Sequence, residues 1–135
     1  MIGLFFIKKA SRVMLLSFPI SAYLGLLFND IGVAMKWWSL VPSKLESIAT
    51  LPYSLGLYPV VVSLMYQFVY PKLKATGFII LTAILLTLCE LCFMLLGHVD
   101  YEDGWNTGWT LVSYMIACCI VFVNMKLLKK VFNVP

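Results

Sequence analysis

Glu90 is the residue whose type and position most directly suggest chemistry. It lies in an apolar run over residues 77–97 that holds no other charged side chain. A charged side chain at the centre of a lipid bilayer costs about 2.5–3.5 kcal/mol on insertion scales. Hydrogen bonds or protonation must offset that cost, so Glu90 requires polar partners or a proton.

Hydroxyl groups on neighbouring predicted helices are the candidate partners of Glu90. At 1.5 Å per residue, Glu90 lies about 10 Å from the nearer end of its predicted helix. Four side chains that can donate to a carboxylate fall at roughly this depth: Tyr58, Ser63, Ser113 and Tyr114. No Lys or Arg falls there, so the sequence predicts an intramembrane polar site without an ion pair in the chain.

Three interpretations of Glu90 remain open at this point. It is a hydrogen-bonded anchor that fixes helix register, a proton or cation site in a transport or sensing path, or a contact for a partner protein. Acidic side chains inside spans usually mark function, but this chain has only one such residue.

The cysteines form a C-x-x-C pair, Cys89 and Cys92, and an adjacent pair, Cys118 and Cys119. Redox versions of C-x-x-C stabilise the thiolate at a helix N-terminus, whereas this one lies in the middle of a predicted span. Adjacent residues of a helix point in different directions, so Cys118 and Cys119 do not suit one metal ion. We expect ordinary apolar cysteines, with no metal and no cofactor.

An acidic segment follows residue 97, with His98, Asp100, Glu102 and Asp103. These side chains suit either a divalent cation or solvent, and we expect a solvated loop. The chain contains no phosphate-cradling glycine loop and no recognisable nucleophile motif. We therefore expect no enzyme, with an enzyme acting on a lipid or a quinone as the remaining catalytic alternative.

Composition places these residues in a membrane protein. Of 135 residues, 62% are hydrophobic and 12% charged, whereas soluble domains have roughly 45–50% and about 25%. A small soluble domain cannot hide so much apolar surface. The net charge of +4 does not indicate nucleic-acid binding, because the basic residues occur in small groups between apolar runs.

Four apolar runs are long enough to cross a bilayer, over about residues 11–28, 54–70, 77–97 and 108–125. Backbone groups in lipid must bond within their own segment, so these runs are helices. The sequence predicts an all-α fold, with residues 1–135 forming one integral membrane four-helix bundle.

The basic residues predict the orientation of the bundle. Eight of the ten Lys and Arg residues lie in the N-terminal segment, the second loop and the C-terminal tail. Only Lys36 and Lys44 lie in the first loop, and the third loop has none. We expect both termini in the cytoplasm and the chain in the cell membrane.

The first loop, about residues 33–50, is predicted to be an amphipathic segment on the outer surface. Ser43 and Glu46 form a capping box that would open a short helix there. A re-entrant loop is the alternative. The aromatic residues expected at this interface are Trp37, Trp38, Trp105 and Trp109.

Helix packing is predicted at a ridge of small residues in the first span. Ser17, Ser21 and Gly25 are spaced four apart, so they share one helix face. Small residues allow close approach between membrane helices.

From about residue 51 to 125 the chain carries a spaced set of aromatic, proline, acidic and glycine positions. They are Tyr58-Pro59, Tyr70-Pro71, Glu90, Gly97, Tyr101, Trp105 and Ser113-Tyr114. In this order the region resembles a family of small multi-pass membrane proteins of Gram-positive, spore-forming bacteria, to which no activity is assigned. The resemblance implies four or five spans in the cytoplasmic membrane, and it does not extend to the N-terminal third.

The function expected from the sequence is a non-enzymatic integral membrane protein that acts structurally or through partners. The expected partners are the lipid bilayer and a second copy or another membrane protein, but not nucleic acid. The alternative is a small transporter or channel component that uses Glu90 as a proton or cation site.

Overall fold

A computed structural model of the chain describes residues 2–40, 48 and 51–132, and in the first helix it describes side chains from Arg12 onward. The predominantly helical fold is confirmed. The α-helices are α1 (Ile2–Ala34), α2 (Tyr58–Phe68), α3 (Tyr70–Leu95) and α4 (Thr107–Val131). A π-helix covers Pro52–Leu57, and two short strands, β1 (Trp38–Leu40) and β2 (Val99–Tyr101), lie between helices.

Within the described residues, three segments are long and apolar enough to cross a membrane: Arg12–Ala34 within α1, all of α3, and all of α4. They have 23, 26 and 25 residues, which at 1.5 Å per residue exceeds the ~30 Å of a bilayer core. The predicted first span ended too early, since α1 continues from residue 28 to Ala34.

The second predicted span, residues 54–70, is not one continuous α-helix. The π-helix begins at Pro52, α2 begins at Tyr58, and α2 ends at Phe68. Pro59 has no backbone N–H, so the carbonyl of Leu55 lacks the donor that a regular α-helix would supply. This missing donor favours the wider π turn before Pro59, which the hydropathy of the segment could not reveal.

The second predicted loop is also different, because residues 71–76 lie within α3. The helix is kinked there, since Lys74 has φ 61° and ψ −170° inside it. Pro71 is compatible with the first turn of α3, where no N–H is required. The chain thus enters α3 directly after α2, and α3 is interrupted once, at Lys74.

Where the structure describes the predicted surface segment at residues 33–50, it contains the end of α1 and a short strand. α1 ends at Ala34, and β1 pairs antiparallel with β2, with Trp38 opposite Tyr101 and Leu40 opposite Val99. The predicted capping box of Ser43 and Glu46 lies outside the described residues. The end of the molecule that carries this two-stranded ladder is called the ladder end below.

The small-residue ridge of α1 lies against α2 and the π-helix. Ser17 and Ser21 have no exposed surface. The hydroxyl groups of Ser17 and Ser63 are 2.6 Å apart. A Cβ on Gly25 would lie 3.2 Å from Ser54 Cα, so only glycine allows this close approach without displacement.

An aromatic cluster fills the bundle at the end opposite the ladder. The rings of Tyr66 and Phe78 meet edge to face at 5.4 Å between centroids, and both side chains are buried. The Lys126 amine lies 5.3 Å from the Phe122 ring of this cluster. The bundle therefore has an apolar, tightly packed end and a more polar ladder end.

Candidate functional site: the Glu90 cavity

The Glu90 carboxylate accepts hydrogen bonds from three hydroxyl groups. Tyr114 donates to Oε2 at 2.6 Å. Tyr101 donates to Oε1 at 2.8 Å, and Thr110 donates to the same oxygen at 3.3 Å. The donors come from β2 and from α4, so the carboxylate on α3 joins three parts of the fold.

The hydrogen-bond network continues from Glu90 to the ladder end. The hydroxyl groups of Tyr101 and Thr110 are 2.9 Å apart. Trp105 Nε1 donates to Thr110 Oγ1, also at 2.9 Å. An indole N–H can only donate, so it sets the direction of this network toward the carboxylate.

Three tryptophan rings cover the ladder end of the network. Trp37 stacks on Trp105 with centroids 4.6 Å apart, and Trp38 meets Trp105 edge-on at 5.1 Å. The backbone N–H of Glu102 donates to the Trp37 carbonyl at 2.8 Å, which extends the contact beyond the ladder. We call Trp37, Trp38 and Trp105 the tryptophan cap.

A cavity of about 90 Å³ lies beside Glu90 between the helices. Its wall includes Gly25 from α1, Ser54 from the π-helix and Leu86 from α3. Val99 of β2 and Trp38 of β1 line it at the ladder end. A cavity of this volume has room for several water molecules or a small organic group.

Aromatic side chains form much of the wall: Phe28, Trp38, Tyr53, Tyr58, Phe93 and Tyr114. Glu90 is the only charged residue among the described residues of the lining. The cavity thus combines one carboxylate with several aromatic faces and edges.

Polar groups of α1 and the π-helix complete the rim. Asn29 Nδ2 donates to Ser54 Oγ at 2.6 Å, and both residues line the cavity. Ser54 is buried in the π-helix, where the wider turn brings its side chain to α1. Such π turns often occur at functional sites.

Tyr114 and Tyr58, two of the residues predicted from the sequence, lie together at the cavity. Tyr114 bonds Glu90 directly, and the Tyr58 ring stacks on Tyr114 at 6.1 Å. The Tyr58 hydroxyl is buried and has no hydrogen-bond partner among the described residues. Tyr58 therefore contributes a wall and a free phenol group rather than a donor to Glu90.

The two predicted serines do not donate to Glu90. Ser113 lines the cavity, but its hydroxyl donates to the Thr110 carbonyl at 2.8 Å. Ser63 lies five residues beyond Tyr58 and pairs with Ser17 instead. Ser113 thus lies at the predicted depth but points its hydroxyl elsewhere, whereas Ser63 belongs to the contact between α1 and α2.

Sequence reasoning missed Tyr101 and Thr110 as partners of Glu90. Tyr101 was noted only as part of the family pattern, because it lies in a loop outside the predicted spans. Thr110 lies one helical turn before Tyr114, on the same face of α4. That four-residue spacing was the available signal for Thr110.

Burial raises the pKa of Tyr101 above its ordinary value. The nearby Thr110 hydroxyl acts in the opposite direction, and the negative charge of Glu90 raises the pKa again. The Tyr101 phenol therefore stays protonated and able to donate over the physiological pH range.

The remaining candidate groups are the cysteines and the acidic segment after residue 97. All four cysteines are free; Cys118 is buried, whereas Cys92 and Cys119 are exposed. Within the described part of the chain, no three His, Cys, Asp or Glu side chains come close enough to hold a metal ion.

No protein family, no curated protein and no solved structure matches the chain.

Proposed function

We propose that this chain is a multi-pass integral membrane protein that uses the Glu90 cavity as a proton or cation site, as a small transporter or channel component does. The observation that carries the proposal is the single carboxylate, held by three hydroxyl donors, beside a cavity of about 90 Å³. If Glu90 only stabilised the fold, no cavity beside its carboxylate would be required.

Exposed apolar side chains support the membrane location. Leu15 of α1, Leu64 of α2 and Leu88 of α3 are exposed, as are Ile116 and Val123 of α4. Soluble monomers rarely expose contiguous apolar patches above a few hundred Å². In a bilayer these side chains would contact lipid at no cost.

The ladder supports a topology with four crossings. β1 follows α1 and β2 follows α3, and their pairing brings the first and third loops to the same end. Eight of the ten basic residues lie near the helix ends on the side away from the ladder, so the positive-inside rule favours both termini in the cytoplasm. Cell-surface proteolysis of tags at each terminus tests this topology, and cleavage of either tag in intact cells would contradict it.

Buried polar oxygens continue from the cavity toward the opposite end. The hydroxyl groups of Ser21 and Thr82 are buried and without a partner among the described residues. Ser21 lies one turn before Gly25, and Thr82 one turn before Leu86, both of which line the cavity. These groups supply acceptors along which a proton or a cation would move.

A flux assay in liposomes tests the proposal. We expect proton or monovalent cation flux above that of empty liposomes. Glu90→Gln should lower the flux about tenfold or more, since removing a partly buried, hydrogen-bonded charge costs about 1.4 kcal/mol or more. Glu102→Gln is the matched control, because it makes the same change at an exposed acid outside the cavity. Equal flux in the wild type and Glu90→Gln would remove Glu90 from the mechanism.

A structural or partner-binding role is the second candidate. It is favoured by the way Glu90 joins α3 to α4 and to β2 through its hydrogen bonds. Under this role Glu90→Gln would lower the unfolding midpoint while no flux is measurable in any variant. Crosslinking in mild detergent would then reveal a second copy or another membrane protein.

A further inference from the structure

The aromatic wall of the Glu90 cavity narrows the class of cation. We infer that the cavity binds a small organic monocation of the alkylammonium class, with Glu90 as its counter-ion; this inference rests on the proposed role of Glu90 as a cation site.

The charge of the cavity favours a monocation. One carboxylate contributes one negative charge, and no other charged side chain occurs among the described lining residues. Ca²⁺ takes 6–8 oxygen ligands, and Mg²⁺ takes an octahedral set that usually keeps several waters. A single carboxylate already bonded to three hydroxyl groups does not supply such a set.

The hydrogen-bonding capacity of Glu90 favours a ligand with few N–H groups. Each carboxylate oxygen has two lone-pair directions. Oε1 accepts from both Tyr101 and Thr110, whereas Oε2 accepts from Tyr114. One direction on Oε2 is therefore open, which matches the single N–H of a trialkylammonium ion.

The aromatic side chains favour alkyl groups around the charge. A cation over the face of Trp or Tyr is attracted by the ring quadrupole, and aromatic cages are a known way to bind quaternary ammonium groups. Trp38, Tyr53, Tyr58 and Phe93 all contribute to the wall. A strongly hydrated inorganic ion would lose its water shell here and gain mainly apolar contacts.

The size of the cavity limits the ligand to a few heavy atoms. Its volume is about 90 Å³, whereas pockets for drug-sized ligands have roughly 300–1,000 Å³. The methylated ammonium ions are of the right size, and larger organic cations would require the cavity wall to move.

Trimethylammonium chloride is the probe, and the full-length chain in detergent micelles is the sample. Trp38 is part of the wall, so binding should change tryptophan emission with a saturable dependence on concentration. Sodium chloride at equal ionic strength sets the baseline. tert-Butanol, which is similar in shape but uncharged, should produce no saturable change.

Three variants separate the effect of the Glu90 charge on binding from the effects of other side chains. We expect Glu90→Gln to weaken trimethylammonium binding about 10-fold or more, since Glu90 is partly buried and losing one partner of a desolvated charge pair costs at least that factor. Glu102→Gln should bind as the wild type does. Phe93→Leu keeps every charge and should weaken binding by about 2- to 30-fold through the lost aromatic wall.

Three results would overturn the inference: no saturable response to trimethylammonium, equal binding of tert-butanol, or equal losses in Glu90→Gln and Glu102→Gln. The flux assay distinguishes this failure from failure of the proposed function. Glu90-dependent proton flux without trimethylammonium binding refutes the ligand class but keeps the proton site. Saturable, Glu90-dependent binding without flux supports the ligand class and refutes transport.

Discussion

Tyr114→Phe tests whether the hydrogen bond from Tyr114 to Glu90 is as strong as a bond to a charged carboxylate should be. The substitution removes one hydroxyl group and keeps the ring that stacks on Tyr58. The bond that it deletes is 2.6 Å long and ends on a carboxylate oxygen. Hydrogen bonds to charged groups contribute about 1.5–3 kcal/mol, and O–H···O⁻ bonds of about 2.5–2.7 Å belong to the strong class.

Ser63→Ala is the matched control for this prediction. It deletes the contact between the hydroxyl groups of Ser63 and Ser17, which is also 2.6 Å long but joins two neutral groups. Ser17 keeps its bond to the Val13 carbonyl at 2.8 Å, so its hydroxyl is not left unsatisfied. Hydrogen bonds between neutral groups of membrane helices contribute about 0.6 kcal/mol on average.

We therefore expect Tyr114→Phe to lower the free energy of unfolding by about 1.5–3 kcal/mol and Ser63→Ala by about 0.6 kcal/mol. Equilibrium unfolding in mixed micelles, followed by circular dichroism, measures both values. A double-mutant cycle with Glu90→Gln isolates the pairwise coupling, which we expect to exceed 1 kcal/mol, since contacting residues typically couple by about 0.5–3 kcal/mol. Equal losses in Tyr114→Phe and Ser63→Ala, or a coupling near zero, would refute the charged-acceptor reasoning.

Two further predictions concern the ladder end. A Cβ on Gly32 would overlap the Trp38 indole, whereas a Cβ on Gly56 would meet nothing within 4 Å. We expect Gly32→Ala to displace the Trp38 indole and shift tryptophan emission to longer wavelength. Gly56→Ala is the control and should leave the emission unchanged. The pKa of Tyr101 is higher in the folded chain than in the unfolded chain. The unfolded chain therefore loses the Tyr101 phenol proton first, above about pH 10. The free energy of unfolding should fall as the pH rises from about 10 toward the folded-state pKa. The fall should be shallower in Tyr101→Phe, and identical pH profiles of the unfolding midpoint would contradict this assignment.

Hydropathy identified the long helices correctly because length and apolar composition are local properties. The predicted runs at 77–97 and 108–125 lie almost entirely within α3 and α4, which both extend further. The ends of the helices were less predictable. The π-helix at Pro52–Leu57 and the kink at Lys74 depend on single hydrogen bonds and dihedral angles, which leave little mark on a hydropathy average.

Glu90 was recognisable in the linear sequence for an energetic reason: an acidic residue within a long apolar run must have its cost offset somewhere. Tyr114 was recognisable as a partner because depth along a helix follows from counting residues. The same counting also selected Ser63, which bonds Ser17 in a different part of the bundle. Depth restricts the candidates, but rotation about each helix axis chooses among them.

Contacts between segments that are distant in the sequence could be identified only from the tertiary structure. Trp38 pairs with Tyr101 across more than sixty residues, and strands of three residues carry too short a pattern to predict such pairing. That pairing places the Tyr101 hydroxyl at Glu90 and Trp38 in the wall of the cavity. Apolar length thus dictates the helices, whereas the packing of their ends determines which side chains surround the carboxylate.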